Sequence, residues 1–96
     1  MKWVEHIKLR ATISKQEVLT QLMELEAGVR ETPGLVEAVV YCHATIHNDY
    51  AFHLLWDTNR PQLQGSRLGV KLGQVLKGFG LVDHSVWIEK KQDKEV

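Results

Sequence analysis

The chain has 96 residues, room for one domain with one core. Lys plus Arg and Asp plus Glu number 12 each, so no net charge draws it to nucleic acid or an anionic membrane. One cysteine, Cys42, excludes an intrachain disulfide and a multi-cysteine metal centre, and no apolar run reaches the ~20 residues that cross a bilayer.

Residues 3–11 read as a first strand, with Trp3, Ile7, Leu9 and Ala11 alternating with Val4, His6, Lys8 and Arg10. Ser14-Lys15-Gln16-Glu17 fits a capping box, and Val18, Leu22, Leu25 and Val29 then recur at helical spacing. Thr32-Pro33-Gly34 ends that helix. Residues 35–46 form a second strand and Tyr50 to Asp57 a third. A short loop centred on Asn48 pairs Ile46 with Tyr50, Ala44 with Phe52, Cys42 with Leu54 and Val40 with Trp56. The even positions, apolar or aromatic, are expected against the helices, with Cys42 a buried thiol. The odd positions put His43 opposite His53 and Tyr41 opposite Leu55.

A second helix is expected to start near Thr58-Asn59-Arg60-Pro61, with a kink or restart at Gly65-Ser66. Its stripe is Leu68, Leu72, Val75, Leu76 and Phe79. Gly65, Gly69 and Gly73 point to close approach of a neighbouring element, or to a lid. A fourth strand runs from Leu81 to Glu89, and about 90–96 is a disordered tail. His47 and His84 are assigned surface or strand-end roles. The start of the chain has no signal-like stretch, so the expected location is the cytoplasm.

The order strand, helix, strand, strand, helix, strand predicts an α+β, ferredoxin-like βαββαβ domain over 1–96, one four-stranded antiparallel sheet with two helices on one face. The other face carries Val4, His6, Lys8 and Arg10 from the first strand. Val39, Tyr41, His43, His53 and Leu55 join them from the second and third. It is half apolar and calls for a cover.

The βαββαβ order, the Pro33-Gly34 turn, and Leu54-Leu55-Trp56-Asp57-Thr58 at the end of strand three resemble the dimeric α/β barrel superfamily. That superfamily includes antibiotic-biosynthesis-type monooxygenases and stress-responsive A/B barrel proteins. Val4-Glu5-His6-Ile7-Lys8-Leu9 is similar to the start of the stress-responsive branch. The resemblance implies a homodimer with facing sheets and a small-molecule pocket between sheet and helices, with a small aromatic or hydrophobic molecule as the possible ligand. The implied function is a cofactor-independent monooxygenase-like enzyme or, alternatively, a non-catalytic ligand- or partner-binding module. The chain departs from the family at the catalytic positions. Stress-responsive enzymes carry a histidine in the second helix, and haem-degrading relatives a strand-one asparagine with a helical tryptophan and histidine. Neither set is found here on the corresponding elements.

The candidate catalytic residues are His6, Tyr41, His43 and His53, with Arg10 and Leu55 as ligand contacts. No cofactor and no metal is expected, because no close-spaced ligand motif supports the three histidines. RNA recognition shares the βαββαβ order, and Asn48-Asp49-Tyr50-Ala51-Phe52-His53 is a partial echo of its strand-three motif. That motif's basic residue and glycine are missing, so no nucleic-acid partner is expected.

Overall fold

The computed structural model describes residues 1–90, so most of the expected tail over 90–96 lies outside the described residues. The elements are β1 (Lys2–Ala11), α1 (Lys15–Val29), β2 (Leu35–Cys42), β3 (Asp49–Asp57), α2 (Arg67–Leu76) and β4 (Gly80–Ile88). The sheet is antiparallel in the order β2-β3-β1-β4. Both helices pack on one face of it, which gives the ferredoxin-like α+β fold.

Alternation decides the two faces. Trp3, Ile7, Leu9 and Ala11 of β1 and Tyr50, Phe52, Leu54 and Trp56 of β3 are buried. Val18, Leu22 and Val29 of α1 and Leu72 and Leu76 of α2 close over them. Trp3 and Trp56, cross-strand partners, stack with ring centroids 5.6 Å apart. His53 points away from this core, as the even–odd pattern predicts.

Three local expectations are corrected. First, β2 ends at Cys42, not at Ile46. Val40 faces Phe52 and Cys42 faces Tyr50, a slip of four residues along β3 from the expected register. The slip is even, so Val39 to Cys42 keep their expected faces, while a bulge between Leu35 and Glu37 turns Leu35 onto the core beside Trp56. The cause of the slip is His43. The imidazole Nδ1 accepts the backbone N–H groups of Thr45 at 3.1 Å and Ile46 at 2.9 Å, folding the chain out of the sheet. Asn48 then closes the loop at φ 70°. Cys42 in consequence lies at the open end of an edge strand and is exposed.

Second, α2 begins at Arg67. Ser66 is its N-cap and accepts the Gly69 N–H at 2.8 Å, whereas 59–65 is irregular. Thr58 belongs to a turn, accepting from Trp3 Nε1 and donating to the Arg60 carbonyl, each at 2.8 Å. Third, Ser14 stands at the N-cap of α1 but makes no side-chain cap bond, so the expected box does not form.

Candidate functional site

The face without helices is where the sequence-predicted residues gather. His6 of β1 and His53 of β3 are direct cross-strand partners, and their Nε2 atoms are 3.1 Å apart. The rings meet edge to face, at 88°. His53 faces Val39 on β2, not His43, which corrects the expected His43–His53 pair. His43 lies beyond the end of β2, its ring turned into its own loop.

Tyr41 of β2 flanks His53 at 5.8 Å between centroids, and Trp87 of β4 flanks His6 at 6.2 Å. One ring from each strand thus forms a continuous row, Tyr41–His53–His6–Trp87, across the whole sheet. Trp87 was not singled out from sequence; the position two residues after Ser85 on the polar-facing side of a strand was its only signal. Its Nε1 donates to Ser85 Oγ at 2.8 Å, which fixes the indole. Leu55 lies on this face, half-buried, with Val4 of β1 and Glu37 of β2 as its cross-strand neighbours.

Burial lowers the pKa of both histidines. Lys8, two residues along β1 on the same face, lowers His6 further. The His6 ring lowers His53 further, and the Glu37 carboxylate on β2 opposes that shift. Both imidazoles are therefore held toward the neutral form.

A cleft of about 550 Å³ adjoins the row at one end of the sheet. Lys8, Arg10, Tyr41, His43, Asp49 and Asp83 are among its lining residues. Arg10 grips Asp49 through two bonds of 2.8 and 2.9 Å, which holds the Asp49 carboxyl below its usual range. His43 reaches the cleft, but its Nδ1 is committed to its own loop. Among the described residues, no group of three or more metal-ligating side chains converges.

A second polar cluster lies between the sheet and α2. Glu5 is fully buried on the helix-facing side of β1. Its carboxylate accepts Trp56 Nε1 at 2.8 Å, Ser66 N at 2.7 Å, Ser66 Oγ at 2.5 Å and an N–H from His84 at 2.9 Å. Two donors serve each oxygen, so the charge is compensated at the N-terminus of α2. Two of the three spaced glycines, Gly65 and Gly69, have their reason here. A Cβ at Gly69 would collide with the Glu5 carboxylate, and one at Gly65 would collide with the His84 ring. Gly65 sits at φ 96°, a conformation that favours glycine. His84, expected in a surface or strand-end role, is instead partly buried against Glu5. The available signal for Glu5 was a lone carboxylate in the series Trp3, Glu5, Ile7, Leu9, Ala11. The cluster ties α2 to β1 and β4.

No family model and no curated protein matches the chain. Solved structures do. A variant of SnoaB, a cofactor-independent oxygenase from Streptomyces nogalater, superposes with a TM-score of 0.72 at 13% identity, over 98% of each chain. Rv0793 from Mycobacterium tuberculosis gives 0.71 at 9% identity, over 98% of this chain and 100% of that one. A proposed antibiotic biosynthesis monooxygenase from Chloroflexus aurantiacus J-10-fl gives 0.60 at 16% identity, over 98% of each. At such identities the likeness establishes the fold. The chain shares with these structures the ferredoxin-like α+β fold, one antiparallel sheet with two helices on one face.

Proposed function

We propose that this chain is a dimeric small-molecule enzyme of the cofactor-independent oxygenase type, acting on a planar aromatic substrate at its open sheet face. The row Tyr41–His53–His6–Trp87 carries this reading, because it sets a neutral base in the middle of an aromatic surface. A planar ring system gains by stacking on Tyr41 and Trp87. The histidine pair beneath it takes a proton from a phenol or an activated methylene. The resulting electron-rich anion reduces oxygen itself, so no cofactor is needed. One oxygen atom is inserted and the other leaves as water, turning a CH2 into a C=O. Lys8, on the same face beside His6, is a cation for the anion, whereas Arg10 is engaged by Asp49. Val4, Val39 and Leu55, beside the row, give the face apolar area that a second copy would cover. Similarity in fold to a cofactor-independent oxygenase supports the choice of chemistry.

Oxygen uptake with a panel of polycyclic phenols tests the proposal. Turnover should fall about 10²–10⁴-fold in His6→Gln or His53→Gln, the usual range for a lost general base. Binding of phenols without oxygen uptake in the unaltered protein would instead favour the non-catalytic module.

A further inference from the structure

Two imidazoles that meet nitrogen to nitrogen have room for one hydrogen between them. At 3.1 Å between Nε2 atoms, one of His6 and His53 donates and the other accepts. In the neutral pair, the donor ring keeps a lone pair on Nδ1, and the acceptor ring carries its hydrogen on Nδ1. A proton added at the donor's Nδ1 makes a cation. The shared hydrogen can then cross to the other Nε2, and the second ring releases its own Nδ1 proton. Only N–H bonds are made and broken, and the pair ends with its tautomers exchanged. Passage in the reverse direction restores them.

The surroundings of the two rings differ. Lys8 stands on the His6 side, on β1. Glu37 stands on the His53 side, on β2, opposite Leu55. The face also carries Tyr41 from β2, Arg10 from β1 in its ion pair with Asp49 of β3, and Ser85, Trp87 and Asp83 from β4, with Asp83 directly opposite Lys8. A positive charge on the pair is thus repelled at the His6 end and attracted at the His53 end.

We propose that His6 and His53 form a directional proton relay, taking a proton at His6, beside Lys8, and passing it to His53, beside Glu37. This rests on the open face being the reaction site. There the relay would remove the substrate's proton to the far ring while oxygen adds, and return it to the departing oxygen. The two halves of such a reaction would leave the pair in its starting tautomers.

The test is an NMR titration of imidazole ¹⁵N shifts in the ligand-free protein. The expected result is complementary tautomers on His6 and His53 at neutral pH, with one proton taken up jointly by the two rings. Lys8→Met should move that uptake to higher pH, and Glu37→Gln should move it to lower pH. Both side chains are exposed, so neither change should unfold the chain. His6→Gln should leave His53 titrating alone. Independent uptake of a proton by each ring would overturn the relay. So would shifts in the same direction, or no shift, from the two charge substitutions. No substrate or oxygen is involved, so absent oxygenase turnover leaves this result standing, and a failed relay leaves the oxygenase assay to be decided separately.

Discussion

His6 and His53 face each other across β1 and β3 with their Nε2 atoms 3.1 Å apart, too close for a hydrogen on both. The geometry couples the protonation state of the open face to the integrity of the central strand pair.

Acidification should therefore destabilise the fold. Both groups have a folded pKa lowered below the usual 6.5, chiefly by burial. The unfolded chain binds these protons first, so stability is full above about 6.5 and falls as pH drops toward the lowered folded values. Urea midpoints measured from pH 7.5 to 5 should decline. His53→Gln should flatten that decline, and an unchanged slope would contradict the assignment.

Gly69→Ala and Gly73→Ala should act in opposite directions. A Cβ at Gly69 collides with the Glu5 carboxylate, while one at Gly73 meets nothing within 4 Å. Alanine at 73 should stabilise by about 0.5–1 kcal/mol through helix propensity. Alanine at 69 should destabilise, since the carboxylate is held by four donors and cannot move freely. Thermal melts of the two variants make the comparison.

Glu5→Ala should be among the most damaging single changes. It leaves Trp56 Nε1, Ser66 N, Ser66 Oγ and the His84 ring without their shared acceptor in a buried place. The expected loss is about 3 kcal/mol or more. Denaturant unfolding would measure it, and a loss under about 1 kcal/mol would show that the network contributes little.

Leu55→Glu should weaken self-association. Leu55 lies half-buried on the open face, and a dimer through that face would desolvate the added charge. Sedimentation should show a dimer for the unaltered chain and a larger monomer fraction for the variant. A monomer at high micromolar concentration before any substitution would remove the dimer from the account.

The faces of the sheet were legible in the sequence because alternation survives an even slip. Trp56 and Phe52 fall in the core and His53 outside it under either register. The register itself was not legible. Ala44-Thr45-Ile46 has strand-like composition, and the bonds that take it out of the sheet come from the side chain of His43. The start of α2 was misplaced for a related reason. Thr58-Asn59-Arg60-Pro61 has helix-start chemistry, but Thr58 is occupied by Trp3 and Arg60, and the capping falls to Ser66. The contact between His6 and His53 joins residues 47 positions apart, on strands whose pairing follows from topology and not from spacing. Glu5 was hidden because a carboxylate in an apolar series carries no sign of the donors that gather on it.

The most direct measurement is amide-shift mapping of the chain titrated with 2-naphthol, a planar phenol that can stack and donate a proton. The account predicts saturable shifts confined to the open face, centred on His6, Tyr41, His53 and Trp87 and reaching Lys8. Shifts gathered instead around Glu5, Ser66 and His84, or the same open-face shifts retained in His6→Gln with Trp87→Ala, would contradict it.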